Sequence, residues 1–244
     1  MNPARTLATT ARVLKQLSHD PRSIVLLLVA PSLLVGLFAW LFDPQPGVFD
    51  RYGGPLLALF PFILMFVVTS ITTLRERRSG TLERLMTTTM NKPDFIIGYG
   101  LAFGFMATLQ AVITVTFAVV VCGLSVEGPV WQLGLVAVVD AILGTALGLL
   151  ASAFARTEFQ AVQFMPLFVF PQIILGGLFM PREDMPDVLE TISDWLPLSY
   201  AIDAINAVTA GDSGADLFVP LGIVGAFALA ALVLASLTLR RRTP

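Results

Sequence analysis

Cysteine and histidine occur once each, as Cys122 and His19. One cysteine leaves no disulfide within the chain, and a lone histidine leaves neither an H-E-x-x-H helix nor a Ser-His-Asp set, so no metal or hydrolytic centre is expected. Phosphate-loop spacing, G-x-x-x-x-G-K-[ST], is missing throughout, so ATP cannot be cradled here in the usual way. Charge is scarce too: 13% of residues are charged against 56% hydrophobic, far outside soluble usage. The net charge of -2, with basic residues set beside apolar runs, argues against a nucleic-acid partner. The first residues lack the short apolar core and small-residue cleavage site of a secretory signal. Apolar residues become continuous only from Ile24 and then run too long, so the first apolar segment is expected to remain uncleaved.

What is present is hydrophobic length. A helix needs roughly 20 apolar residues to cross a bilayer, because only a helix or a closed barrel satisfies its own backbone there. Six runs qualify: 24–42, 55–74, 95–124, 130–154, 159–180 and 217–239. Lys and Arg set the orientation, since they stay on the cytoplasmic side. With both ends inside, 13 of the 15 are cytoplasmic, and only Arg51 and Arg182 lie outside. Eight acidic residues fall between Met180 and Leu217, on the outer side of this arrangement. The expected fold is all-α: a polytopic membrane protein in the cytoplasmic membrane, its 244 residues forming a single transmembrane domain.

Three segments are not spans. Residues 1–23 contain an amphipathic stretch, with Leu7, Ala11, Leu14 and Leu17 or Ser18 on one helical face and Arg5, Arg12 and Lys15 elsewhere. That pattern describes a helix in the inner membrane interface, its basic residues meeting anionic lipid, or else a solvated basic leader. In 75–94, Gly80 permits a turn, Thr81 can cap a short helix, Glu83 sits in its first turn, and Leu82, Leu85 and Met86 form an apolar face. Such a helix is shaped either to dock in a groove of a cytoplasmic partner or to serve as a stiff connector.

The run Glu76 to Leu85, E-R-R-S-G-T-L-E-R-L, resembles the cytoplasmic signature of ABC-2 type transporter permeases, in which an acidic residue and a Gly-Thr pair precede a Glu and a Leu. The resemblance covers nearly the whole chain. Asp20-Pro21-Arg22 ahead of the first span, with Pro31 inside it, is similar to the daunorubicin-resistance-type drug-export permeases. The resemblance implies that Glu76, Gly80, Thr81, Leu82, Glu83, Arg84 and Leu85 belong to a coupling helix that receives the stroke of a separate ATPase subunit. It further implies two copies of that ATPase, which carries the ATP and Mg, and a second permease, identical or homologous.

Segment 181–216 carries two short amphipathic patterns: Val188, Leu189, Ile192, Trp195 and Leu196, then Tyr200, Ala201, Ala204, Ile205 and Val208, broken by Pro197 and stopped by Gly211. Neither is long enough to span, so they read as re-entrant external helices or as a plain amphipathic loop. The resemblance makes them the outer cap of the translocation path, with Gly176, Gly177, Pro181 and Pro197 as an external gate. The same family places the path between two permeases, lined by the first, second and fifth spans. On the fifth span, Gln163, Phe164, Phe168 and Gln172, with Pro166 and Pro171 loosening the backbone, are the candidate lining.

Asp140 is the ionisable residue well inside a span. It reads as a proton or cation relay, as a polar contact for substrate, or as a helix-packing hydrogen bond. The function implied is the permease of an ATP-driven exporter of hydrophobic or amphiphilic compounds. Rival readings are a polysaccharide or glycan permease, for which three Tyr and three Trp offer little aromatic lining, a proton-coupled secondary transporter using Asp140, and a membrane scaffold.

Overall fold

The computed structural model describes residues 3–45, 47–79, 92–212 and 214–238. Among these are nine α-helices: α1 (Pro3–Ser18), α2 (Pro21–Phe42), α3 (Val48–Arg78), α4 (Lys92–Val120), α5 (Val130–Phe154), α6 (Glu158–Leu175), α7 (Asp187–Ser193), α8 (Pro197–Thr209) and α9 (Ala215–Thr238), with a 3-10 turn at Arg182–Asp184. Helices α2, α3, α4, α5, α6 and α9 are long and apolar enough to cross a membrane. The chain is a multi-pass membrane protein.

Helix ends follow local chemistry. The Asp20 carboxylate accepts the Ser23 N–H at 3.3 Å and the Ser23 hydroxyl at 2.6 Å, with Pro21 at the first position of α2. The Thr157 hydroxyl accepts the Gln160 N–H at 3.1 Å to begin α6. Helix α4 stops at Val120, short of the expected Leu124, because Gly123 takes φ +72° and the Leu124 N–H turns back to the Ala118 carbonyl at 3.0 Å. Gly177, at φ +89°, likewise diverts the chain just beyond α6, which stops at Leu175 rather than Met180.

Helices α3 and α5 are the centre: 61% of the apolar stretch of each is buried, against 22% in α2 and α9 and 17% in α6. They run in the same direction and touch backbone to backbone. A Cβ at Gly144 would lie 2.5 Å from the Phe62 carbonyl oxygen, and one at Gly148 would lie 2.5 Å from that of Phe66. Around this pair, α4 packs on α5 and α2, α6 packs on α3, and α9 packs on α5 and α8. The outer helices leave large apolar side chains exposed, among them Leu33, Leu37 and Trp40 of α2, Phe159, Leu167 and Ile174 of α6, and Leu229 and Leu237 of α9.

Helix α1 lies against α4 on a face rotated from the expected one, which shares with it Leu17 and the half-buried Leu14. Thr6, Thr9, Val13 and Leu17 are buried, whereas Leu7 and Ala11 are exposed. The reason is the fit at Gly98: its missing Cβ would sit 2.7 Å from the Thr9 Cβ, and the Thr10 hydroxyl donates to the Gly98 carbonyl at 3.1 Å. Small hydroxyl residues win the contact because they allow the two backbones to close.

Candidate functional site

The last turn of α3 is tied to three other helices by three consecutive residues. Arg75 reaches α6, its Nε and Nη2 each donating to a different Glu158 oxygen at 2.9 Å. Glu76, only 4% exposed, faces Arg12 of α1 at 3.4 Å. Arg77 donates to the backbone carbonyl of Ser152 in α5. Since successive helical residues project about 100° apart, one turn of helix addresses three neighbours at once.

The Glu76 tie extends further. Arg12 donates its other terminal nitrogen to the Tyr99 hydroxyl of α4 at 2.8 Å, and its guanidinium lies 5.7 Å from the centroid of that ring. Burial works against the charge on Arg12, but the Tyr99 and Glu76 oxygens more than offset it and hold the guanidinium above its ordinary pKa. A charge-bearing node therefore joins α1, α3 and α4 at the base of the segment linking α3 to α4.

At the opposite end of the bundle, Arg182 makes a second node. It donates to Asp203 of α8 at 2.6 Å, pairs with Asp194 just beyond α7, and lies 4.9 Å from the centroid of the Tyr200 ring. Burial raises the Asp203 carboxyl above its usual range, and Arg182 only partly counters this. The two short helices are thus held together around one cation, and Ser193 pins them to α6 by donating to the Leu175 carbonyl at 2.7 Å.

The ABC-2 type transporter family model matches residues 5–209, which takes in both nodes and all the helices between them. The chain belongs to the ABC-2 type transporter family.

Its relatives include the ABC transporter G family member 20 of Dictyostelium discoideum, 27% identical over 68% of this chain and 23% of that protein. The probable multidrug ABC transporter permease YbhR of Escherichia coli is 26% identical over 66% of this chain and 44% of that protein. The linearmycin resistance permease protein LnrN of Bacillus subtilis is 26% identical over 67% and 43%. The matched part therefore spans less than half the length of each of these relatives.

For this ABC-2 family member, the expected site residues are placed unevenly. Of the coupling set, Glu76 is in the α3 node, while Gly80, Thr81, Leu82, Glu83, Arg84 and Leu85 lie outside the described residues. The external set is local. Gly176 caps α6, Gly177 makes the positive-φ turn, Pro181 precedes the 3-10 turn and Pro197 opens α8.

The four candidates on α6 do not share one surface. Gln163 and Phe168 are exposed and Phe164 is half-buried, its ring edge-on to that of Phe168. Gln172 is 3% exposed, and its amide is committed to structure, accepting the Leu198 N–H at 3.1 Å and donating to the Phe168 carbonyl at 2.7 Å. This amide caps the start of α8 instead of facing outward. Asp140 is fully buried in α5.

Several partners are not legible in the residue pattern. Arg12 faces neither lipid headgroups nor solvent alone, as an interfacial helix or a solvated leader would have it, but turns inward to Glu76 and Tyr99. By charge alone Arg75 and Arg77 only orient the chain and Arg182 is one of two external cations, yet each is tied to a named partner. Nothing local in the sequence pairs residues 64 or 83 positions apart, the separations of Arg12–Glu76 and Arg75–Glu158.

Proposed function

We propose that the chain is the membrane-spanning permease of an ATP-driven exporter that moves hydrophobic or amphiphilic compounds out across the cytoplasmic membrane. Both ends of the chain lie in the cytoplasm, a placement supported by the 13 Lys and Arg that this orientation puts there. ATP and Mg are bound by two partner ATPase subunits, and a second permease, identical or homologous, completes the path. The multidrug and linearmycin-resistance names of two relatives support drug-like cargo.

One observation carries the coupling part of this reading. The turn of α3 that leads into 80–91 is tied to α1, α5 and α6 through Glu76, Arg77 and Arg75, and through Arg12 to α4. A push delivered to the segment around Gly80 to Leu85 enters a node already joined to four helices, so it moves the bundle and not one strand of it. ATP binding closes the ATPase pair, the coupling segment shifts, and the node distributes that shift.

Replacing Leu82 and Glu83 together is expected to abolish export, and with it cargo-stimulated ATP hydrolysis by the co-purified complex, while the chain still inserts. Export that survives this double change overturns the coupling assignment. A stable, inserted chain that recruits no ATPase when the two are co-expressed overturns the exporter reading.

A further inference from the structure

Asp140 sits near the middle of α5, about 15 Å along the helix from its start at Val130. Its side chain is fully buried and neither carboxyl oxygen has a hydrogen-bond partner among the described residues. One turn later, Gly144 brings the α5 backbone against the Phe62 carbonyl of α3. Further along α3, the hydroxyls of Thr69, Ser70 and Thr73 are also buried, without hydrogen-bond partners among the described residues. Asp140, Gly144 and Gly148 follow at four-residue spacing on the α5 face that meets α3, and Thr69 lies against Gly148 across that contact, so the two central helices meet in a closed seam that carries unmet polar groups.

Among the described residues, no counter-ion serves Asp140. On α3 the titratable and charged residues are Asp50, Arg51 and Tyr52 at one end and Arg75, Glu76, Arg77 and Arg78 at the other; on α4 they are Lys92, Asp94 and Tyr99, all near its start. Helix α6 contributes Glu158, α8 Tyr200 and Asp203, and α9 Asp216, and Asp140 has no hydrogen bond or ion pair to any described side chain. An anion in such surroundings has nothing to replace its water, whereas a neutral acid is tolerable. Even the neutral acid leaves a donor and an acceptor unmet, as do the hydroxyls, and buried polar atoms without partners call for an explanation. A second state in which water enters the seam supplies one.

We propose that the α3–α5 seam admits water during the transport cycle and that Asp140, a neutral acid while the seam is closed, releases its proton to that water. The permease thereby carries a proton-linked step within the ATP-driven cycle. This rests on the exporter reading for its nucleotide dependence but not for the neutral acid itself.

The test is infrared difference spectroscopy of the permease with its ATPase in lipid vesicles, comparing the chain with D140N. In the resting complex, a protonated-acid carbonyl band present in the parent and missing from D140N is expected. Trapping the complex with ADP and vanadate in mildly alkaline buffer should lower that band about twofold or more, as a population shift into the hydrated state requires. No such band in the resting complex overturns the proposal. A band unchanged on trapping, in a complex that hydrolyses ATP, overturns it while leaving the exporter reading intact. A complex that hydrolyses no ATP overturns the exporter reading and the nucleotide-linked step with it, while the resting band still decides the neutral acid. If D140N fails to insert, Asp140→Glu, which should shift the band instead of removing it, carries the assignment.

Discussion

Glu76 and Arg12, 64 positions apart, face each other at 3.4 Å with the carboxylate almost wholly buried and the arginine about one-third exposed. The exposure sets the energetic scale. Removing one partner of a fully buried pair costs roughly 3–5 kcal/mol, because the survivor keeps its desolvation penalty without compensation. Solvent reaches Arg12, and the 3.4 Å separation is long, so Arg12→Ala is expected to cost less, about 2 kcal/mol. Thermal unfolding in detergent measures it. Glu76→Gln combined with Arg12→Ala should cost less than the sum of the single changes, and strict additivity would mean that the two residues are not coupled.

Arg75 and Glu158 form the better-aligned pair, yet both side chains are about half exposed or more, at 62% and 45%. Solvent screening holds such a contact to no more than about 1 kcal/mol. Arg75→Ala should therefore leave the unfolding temperature nearly unchanged, and a large drop would show that this end of the bundle is drier than its exposure indicates.

The seam between α3 and α5 should tolerate no added carbon. Gly144→Ala places a Cβ 2.5 Å from the Phe62 backbone oxygen, which cannot rotate away, so a loss of about 1–3 kcal/mol is expected. Gly134, on the same helix, has nothing within 4 Å of that position. Gly134→Ala is the matched control and should be neutral or slightly stabilising through helix propensity.

The Arg182 node should respond to pH through Asp203. Burial, only partly offset by Arg182, raises its carboxyl in the folded state, so the native protein holds this proton more tightly than the unfolded chain. That contribution to stability is fully present below the ordinary aspartate value and is lost as pH rises through the raised one. Asp203→Asn should flatten this part of the stability profile relative to the parent. An unchanged slope in the variant would assign the dependence to another group.

Much of the architecture is legible one segment at a time. Hydropathy over about 20 residues locates the six spans because the cost of an unsatisfied backbone in lipid is paid locally. Helix ends are less legible, because the positive-φ turns at Gly123 and Gly177 stop α4 at Val120 and α6 at Leu175, short of the expected Leu124 and Met180. The break at Pro197 and the stop before Gly211 separate α8 from its neighbours.

What only the tertiary structure decides is which polar group meets which. Arg12 looks like one more basic residue on an interfacial helix, and its partner is Glu76 only because Thr9 and Thr10 let α1 close on Gly98 of α4. Gln172 looks like a polar lining residue, and it becomes the cap of α8 only because that helix folds back beneath α6. Asp140 is conspicuous in the sequence, but its lack of a partner among the described residues emerges only when α3 and α5 pack. A membrane span is determined by its own composition, whereas an ion pair or an unmet carboxyl depends on the rotation and register of helices that the chain places far apart.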